Sequence, residues 1–220
     1  MRGLFITIEG PDGSGKTTQA RLLSEYLRGA ADVLYSREPG GTVVGEQIRR
    51  ILLGDAAMSA QTEMLLFAAS RAQFVSEIVD PALRAGRIVV SERFVDSSLA
   101  YQGYARGLGV DLVRMVNAVA TQGLQPDLTL LLDIDPGVGL GRAQAAEGKE
   151  GQRGTGDRLE QEGIAFQQRV REGFLSIAQE EPHRVRVIDA SRAQRAVHGD
   201  IVRIVDEFLR ARGWRASSSS

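Results

Sequence analysis

Residues 3–18 read GLFITIEGPDGSGKTT, and this stretch organises the rest of the chain. The apolar run of residues 4–8 predicts a buried strand. The loop after it matches the pattern G-x-x-x-x-G-K-[ST], with Gly10, Gly15, Lys16 and Thr17 at the fixed positions. Residues 19–28 then predict a helix, because apolar side chains recur there at helical spacing. Strand, glycine loop and helix in this order predict a phosphate-binding site, whereas the alternative is a glycine-rich turn that binds nothing.

The chemistry of the loop suits a nucleoside triphosphate. Glycines allow consecutive backbone N–H groups to converge on phosphate oxygens, and the helix N-terminus adds partial positive charge. We expect Lys16 to reach the β- and γ-phosphates and Thr17 to hold Mg²⁺. The residues expected to bind the ATP phosphates are Gly10, Gly13, Ser14, Gly15, Lys16, Thr17 and Thr18.

The composition is that of a globular protein with an ordinary core. Of the 220 residues 43% are hydrophobic and 25% charged, and the net charge is −1. This length and composition predict one α/β domain, which we expect over residues 1–215. The charge gives no reason to expect a nucleic-acid or membrane surface, and the absence of cysteine excludes disulfides and thiolate metal sites. With no signal peptide and no long apolar run in view, we expect a cytoplasmic protein.

Five short apolar runs alternate with helical patterns along the chain. The predicted strands cover residues 4–8, 33–35, 88–90, 128–132 and 185–188. Further predicted helices cover residues 42–53, 59–84 with a kink or an end at Pro81, 96–104, 109–122 and 194–212. The alternation implies a five-stranded parallel sheet with helices on both faces, in which sites gather at the carboxyl ends of the strands.

Charged residues follow several of these strands. Arg37 ends the second, Glu92 and Arg93 end the third, and Asp133 and Asp135 end the fourth. An acid in such a position is placed to orient Mg²⁺ or its water shell, and Arg93 beside it is placed to bridge the phosphates of two substrates. The alternative for Glu92 and Arg93 is a surface ion-pair turn. Together with the phosphate loop, these residues indicate a nucleotide kinase.

Two helical segments carry side chains whose roles the pattern leaves open. The segment 59–84 has an apolar face that includes Leu65 and Phe67, and core packing for Phe67 and a solvated face for Arg71 are the simpler interpretations. The segment 96–104 carries more hydrogen-bonding groups than a helix needs for packing alone. These groups are Ser97, Ser98, Tyr101 and Gln102.

A glycine-rich segment separates two helical patterns in the C-terminal half. Residues 147–157 contain four glycines and few apolar groups, which predicts a mobile flap within about residues 142–163. Arg142, Lys149, Arg153 and Arg158 would deliver positive charge to the transferring phosphates when the flap closes. A plain surface loop is the alternative. Residues 216–220 are expected to form a disordered tail.

With these segments in view, the chain resembles the thymidylate kinase family over nearly its whole length. The most specific stretches are REPGGT at residues 37–42 and RFVDSSLAYQG at residues 93–103. The resemblance also covers residues 9–18, 66–72, 126–135, 157–160 and 187–190. It implies a P-loop nucleoside monophosphate kinase that transfers the γ-phosphoryl group of ATP to dTMP with Mg²⁺, giving dTDP for dTTP biosynthesis.

The resemblance also implies roles for individual residues. Phe67 would stack on thymine, and Arg71, Ser98 and Gln102 would contact the base edge. Asp12 would accept the sugar 3′-hydroxyl, and Tyr101 would crowd out a 2′-hydroxyl. The acceptor phosphate would be bound by Arg37 and Arg93, and Ser97 belongs to the same dTMP-binding set. The catalytic residues implied are Lys16, Arg93, Arg153 and Arg158, and the Mg²⁺ residues, acting partly through water, are Thr17 and Glu92.

The sequence departs from the family pattern at two places. Glu92 stands where the family usually has aspartate. The phosphate loop contains no arginine, so the flap is expected to supply that charge, as in bacterial-type members. The family resemblance further implies a homodimer, for which the apolar helices between residues 59 and 122 are the candidate interface.

Two other functions remain open on the sequence. One is a nucleoside monophosphate kinase for dUMP, CMP or UMP. The other is a nucleotide-dependent switch, which would lack the acceptor set of Arg37, Phe67, Arg71 and Arg93.

Overall fold

The computed structural model describes residues 2–147 and 162–214. Its strands are β1 (Leu4–Glu9), β2 (Val33–Arg37), β3 (Ile88–Glu92), β4 (Leu128–Asp133) and β5 (Val185–Asp189). They form one sheet in the order β2-β3-β1-β4-β5, and every neighbouring pair is parallel. The predicted five-stranded parallel sheet is confirmed. Each strand runs one or two residues beyond its predicted carboxyl end, because backbone pairing continues past the last apolar side chain.

Helices fill the connections between the strands. Those of the described residues are α1 (Lys16–Arg28), α2 (Val43–Leu53), α3 (Ala60–Phe74), α4 (Asp80–Arg84), α5 (Val95–Ser98), α6 (Val110–Thr121), α7 (Pro136–Glu147), α8 (Ile164–Glu180) and α9 (Gln194–Ala211). Two π-helical segments prolong α3 and α5, at Val75–Val79 and Leu99–Ala105.

The helix neither kinks nor ends at Pro81, in contrast to the prediction. The chain stays helical from Ala60 to Arg84, and its irregularity is the π-helical segment that precedes the proline. Pro81 lies in the first turn of α4, where a missing N–H disturbs the helix least.

Alternate residues of the strands pack on opposite faces of the sheet. Ile6 and Ile8 of β1 belong to a core cluster that α1 and α9 complete. Phe5, one residue before Ile6 and therefore on the opposite face of β1, belongs to a second cluster with the α3–α4 region and the turn after β3. A third cluster joins Leu131 of β4 to the π-helical segment after α5 and to α8. Both faces are therefore covered, and the carboxyl ends of β1, β3 and β2 open onto the same edge.

Part of the C-terminal prediction falls outside the described residues. Helices flank the predicted flap, since α7 ends at Glu147 and α8 begins at Ile164. Residues 148–161, with Lys149, Arg153 and Arg158, lie outside the described part of the chain, as does the predicted tail at residues 216–220. Over residues 2–147 and 162–214, no helix is long and apolar enough to span a membrane.

Candidate active site

One cavity of about 1140 Å³ opens at the carboxyl edge of the sheet. Its wall includes the loop between β1 and α1, the ends of β2 and β3, the helices α3 and α5, and the turn between β5 and α9. Among the described residues its wall carries eight lysines and arginines but four carboxylates. In a chain whose net charge is −1, this excess of positive charge is suited to polyanionic ligands.

The phosphate loop has the backbone that its glycines allow. Gly10, Gly13 and Gly15 all have positive φ angles, at 145°, 71° and 89°. Gly15 caps α1 and faces open space, since a side chain built there would meet nothing within 4 Å. A side chain at Gly10 or Gly13 would instead collide with the backbone carbonyl oxygens of Leu132 or Gly139. Gly15 therefore leaves room for a ligand, whereas the other two glycines let the loop pack on neighbouring backbone.

Lys16 lies inside the loop with its ammonium group buried. Its Nζ donates to the carbonyl oxygen of Pro11 at 2.8 Å and lies 3.8 Å from Asp12 Oδ1. Burial lowers the pKa of Lys16 to about 8, and the charge of Arg93 acts in the same direction. Asp12, Glu92 and Glu9 oppose that shift. Phosphate oxygens would add further negative charge and favour the protonated ammonium.

Thr17 and Glu92 bring two oxygens together beside the loop. Thr17 Oγ1 donates to Glu92 Oε1 at 2.9 Å, and Tyr35 OH donates to Glu92 Oε2 at 3.4 Å. A hydroxyl and a carboxylate are the oxygen ligands that Mg²⁺ accepts. The extra methylene of Glu92 still lets its carboxylate reach Thr17. Over the described residues no cluster of three or more His, Cys, Asp or Glu side chains has metal-binding geometry.

Arg93 is held in an unusual backbone conformation at the end of β3. Its φ is 67°, and its N–H donates to the carbonyl oxygen of Ile8 at 3.0 Å. Its guanidinium forms an ion pair with Asp12, donates to Ser97 Oγ at 3.1 Å and lies over the Tyr101 ring. Tyr101 OH in turn donates to Asp12 Oδ2 at 2.9 Å. A left-handed arginine held by so many neighbours is the kind of strained, over-determined residue that occurs at functional sites.

Glu9 supports the turn on which Arg93 lies, and the sequence did not single it out. Its buried carboxyl group accepts from the Phe94 N–H at 2.7 Å and from Ser97 Oγ at 2.5 Å. Burial raises the pKa of Glu9 to about 8, and the nearby Asp96 adds to the shift. The strand before the phosphate loop is thereby joined to the turn after β3.

Arg71 is 1% exposed, so the interpretation as a solvated face is wrong. Its guanidinium donates to Glu38 Oε2 at 2.8 Å, Ser98 Oγ at 2.8 Å, Asn117 Oδ1 at 2.6 Å and the Phe94 carbonyl oxygen at 2.9 Å. Nη2 also lies 2.7 Å from Glu38 Oε2, so all five N–H groups of the guanidinium have protein acceptors within reach, and a ligand would share one of them. Four separate elements therefore fix this side chain in the cavity wall.

The other predicted acceptor residues also reach the cavity. Phe67 is half-buried, packs against the cluster around α8 and lines the cavity. Gln102 is buried, and its Nε2 donates to Glu63 at 2.8 Å. Arg37 is exposed at the rim, 3.5 Å from Glu46. Of the predicted residues that the structure describes, all but Gly10, Asp133 and Asp135 line this cavity. Asp133 instead pairs with Arg171, and Asp135 accepts from the N–H groups of Gly137 and Val138 in the first turn of α7.

Several residues in and around the cavity wall were missed by the sequence interpretation. Glu38 pairs with Arg71, and Asn117 of α6 binds the same guanidinium. Gln167 of α8 hydrogen-bonds Asp12. Arg142 was assigned to the flap, but its guanidinium donates to the carbonyl oxygens of Ala190 and Ser191 at 2.8 and 2.9 Å. It thus belongs to the cavity wall formed with the turn between β5 and α9.

A parallel sheet, a phosphate loop and a cation-rich acceptor pocket in one cavity define a phosphotransferase of the P-loop nucleoside monophosphate kinase class. The family model for thymidylate kinase matches residues 8–201. The chain is 52% identical over 197 residues to a thymidylate kinase from Lactobacillus delbrueckii, covering 87% of this chain and 90% of the relative. It is 48% identical over 208 residues to a thymidylate kinase from Deinococcus radiodurans, covering 94% and 98% of the two chains. The chain belongs to the thymidylate kinase family.

A solved structure agrees with this assignment. The crystal structure of thymidylate kinase from Ehrlichia chaffeensis superposes with a TM-score of 0.73 at 33% identity. The match covers 93% of this chain and 99% of the other.

Proposed function

We propose that the chain transfers the γ-phosphoryl group of ATP to dTMP, giving ADP and dTDP, with Mg²⁺ bound. The observation that carries the proposal is the single cavity in which the phosphate loop faces Arg93 and the pocket of Phe67, Arg71 and Gln102. When two ligands bind in one cavity, the donor and acceptor phosphates can meet directly, and no intermediate has to carry the phosphoryl group between them.

The donor side of the cavity is suited to a triphosphate. The backbone N–H groups of residues 13–18 and the N-terminus of α1 bind its phosphates, and Lys16 supplies a charge at the point of transfer. Thr17 and Glu92 would hold Mg²⁺, because both contribute oxygen ligands beside the loop. Bound there, the metal would neutralise charge on the phosphates.

The acceptor side is suited to a deoxynucleoside monophosphate. Phe67 offers an aromatic face to the base, and Arg71, Ser98 and Gln102 offer polar groups to its edge. Arg37 and Arg93 bind the acceptor phosphate, and Ser97 positions Arg93. Asp12 accepts the sugar 3′-hydroxyl while it retains its bonds to Arg93 and Tyr101. A carboxylate has room for these partners together.

The reaction needs alignment and charge more than proton transfer. A phosphate monoester oxygen is already largely ionised at neutral pH, so no strong general base is required. Lys16 and Arg93 stabilise the charge that spreads over the transferring group. Asp12 keeps both cations within reach of that group.

A parallel assay tests this function. ADP release with ATP and Mg²⁺ is measured with dTMP, dUMP, the thymine ribonucleotide, CMP, UMP and AMP as acceptors. We expect strong selectivity for dTMP. Preference for another monophosphate would retain the kinase class and overturn the base-pocket assignments, and ADP release that ignores every acceptor would overturn the kinase proposal.

We also propose that the enzyme is a homodimer that pairs through α2, α3 and α6. These three helices are neighbours, since α3 packs against both of the others. Their outer surfaces expose large apolar side chains: Val43, Val44, Ile51, Leu65, Leu112, Met115 and Val119. Leu65 was predicted to face the core, and its exposure on this surface is a correction that a second copy of the chain would explain.

A further inference from the structure

A buried carboxylate lies behind the acceptor pocket, outside the residues assigned above. Glu63 of α3 is 1% exposed and accepts the Nε2 of Gln102 at 2.8 Å. Arg106 donates to both oxygens of the same carboxylate, at 3.3 Å from Nε and 3.1 Å from Nη2. Of these two partners, Gln102 lines the cavity and Arg106 does not.

The charge state of Glu63 determines how the Gln102 amide is oriented. A guanidinium bound at two atoms favours the ionised form of the carboxylate. An ionised carboxylate only accepts hydrogen bonds, so Gln102 must present its NH₂ group to Glu63 and not its carbonyl oxygen. This chemistry fixes the orientation of the amide even though its two ends have nearly the same shape.

The carbonyl oxygen of that amide remains available. Gln102 Oε1 has no hydrogen-bond partner among the described residues, and Gln102 is part of the cavity wall. Arg106 cannot easily move away from Glu63, since it also forms an ion pair with Glu162 at 2.5 Å and lies over the Phe166 ring. The acceptor pocket therefore has a fixed hydrogen-bond acceptor.

We propose that Glu63 is a positioning residue that fixes the Gln102 carbonyl oxygen toward the bound base and so selects a base edge bearing an N–H donor. Thymine and uracil carry a hydrogen on ring nitrogen N3, whereas the same atom of cytosine is an acceptor and would face the carbonyl oxygen unpaired. The inference rests on the proposed function, because it assumes a pyrimidine monophosphate in this pocket. It names the group that makes the pocket reject cytosine.

The test is the ratio of kcat/KM for dTMP to kcat/KM for dCMP in the Glu63→Gln enzyme. A glutamine at position 63 can also donate, so the Gln102 amide can turn and offer either end. We expect the ratio to fall by at least about tenfold, with a rise in the KM for dTMP, since one well-placed hydrogen bond is worth about that factor. Glu77→Gln is the matched control, because Glu77 is exposed on the same helical stretch away from the cavity, and its ratio should not change.

A second background shows whether Glu63 acts through Gln102. Gln102→Met should lower the same ratio, and adding Glu63→Gln to it should lower the ratio no further. If Glu63→Gln does not fold because Arg106 is left with Glu162 as its ion-pair partner, the Glu63→Gln/Arg106→Gln enzyme removes both charges of the Glu63–Arg106 pair and should show the same loss of ratio.

The outcomes separate this inference from the proposed function. A wild-type enzyme that prefers dTMP, with an unchanged ratio in a folded Glu63→Gln variant, would overturn the positioning role alone. An equal further loss in the Gln102→Met background would also overturn it. A wild-type enzyme that prefers dCMP would overturn the proposed function and the inference together.

Discussion

Glu9 is a carboxyl group enclosed by the fold at the end of β1, and its environment makes stability depend on pH. Burial raises the pKa of Glu9 from 4.5 to about 8, with a further contribution from Asp96. Between these values the folded protein holds a proton that the unfolded chain has released. The free energy of unfolding should therefore fall as pH rises from about 4.5 through about 8, and level off above it.

Glu9→Gln tests this dependence at the residue itself. Glutamine can still accept from the Phe94 N–H and can donate to Ser97, but it has no proton to lose. We expect the stability of the variant relative to wild type to rise by on the order of 3–5 kcal/mol between pH 4.5 and 8.5. Denaturant unfolding at three pH values measures the difference. If the free energies of unfolding of the two proteins changed with pH in parallel, the raised pKa of Glu9 would be excluded.

Tyr101 helps to hold the site together, and the family resemblance implies that it also selects the sugar. Its hydroxyl donates to Asp12 at 2.9 Å, and its ring packs beneath the Arg93 guanidinium. We expect Tyr101→Ala to narrow the kcat/KM gap between dTMP and its ribonucleotide by about tenfold or more, because the variant lacks the bulk that is proposed to oppose a 2′-hydroxyl. Tyr101→Phe is the control and should keep most of that gap. An unchanged ratio in the alanine variant would remove Tyr101 from sugar selection.

At the scale of elements, two glycines of the phosphate loop have different roles, one in folding and one in ligand binding. Gly13, at a φ of 71°, packs on the backbone of α7, whereas Gly15, at 89°, faces the open cavity. Gly13→Ala should therefore cost about 2 kcal/mol or more of stability, from the strained φ and the collision with Gly139. Gly15→Ala pays the strain alone but puts a methyl group into the ligand space, so its main effect should be a KM for ATP raised at least about tenfold.

Thermal unfolding and steady-state kinetics on the two alanine variants distinguish these roles. The expected pattern is a larger loss of melting temperature for Gly13→Ala and a larger rise in KM for Gly15→Ala. The opposite pattern would mean that the loop packs differently from the structure described here.

Local patterns accounted for the elements better than for the contacts between them. The strand–loop–helix signature and the apolar runs predicted the sheet, because these depend on residues close in sequence. The predicted strands ended too early, since Ser91 and Glu92 still pair with β1 through their backbones although their side chains are polar. The hydrogen bonds from Arg71 to Glu38 and Asn117 could not be predicted from local patterns, because these two partners lie 33 and 46 residues from Arg71 in the sequence.

Burial was the least predictable property of individual site residues. Helical spacing alone placed Leu65 on the core face and left Arg71 on a solvated one, and the structure reverses both. The reason is that α3 contacts the acceptor pocket on one side and leaves an apolar surface uncovered on another. No periodicity distinguishes a surface buried inside one chain from a surface that a second chain would bury.

At the scale of the whole molecule, this uncovered surface is the basis for the proposed homodimer. Val119 of α6 is 77% exposed and Met115 is 65% exposed, on the helix that packs against α3. We expect the wild-type enzyme to have the mass of two chains in sedimentation or light scattering at micromolar concentration. Exposed apolar side chains on three adjacent helices make this the surface where a second copy would bury most hydrophobic area.

A charge placed in that surface should separate the two copies. Leu65→Glu or Met115→Glu would bury an unpaired carboxylate in the dimer, so we expect dissociation to monomers with a dimer Kd raised at least about a hundredfold. Val187→Glu is the control, because Val187 is also exposed and apolar but lies on the edge strand β5. If both helix variants stay dimeric while Val187→Glu becomes monomeric, the interface lies on the edge strand. A wild type that is itself monomeric would overturn the homodimer proposal.

The dimer surface and the acceptor pocket share one helix, since α3 carries Leu65 on the surface and Phe67 and Arg71 in the pocket. A monomeric variant should therefore also bind dTMP more weakly. Calorimetry on the same samples would measure that loss.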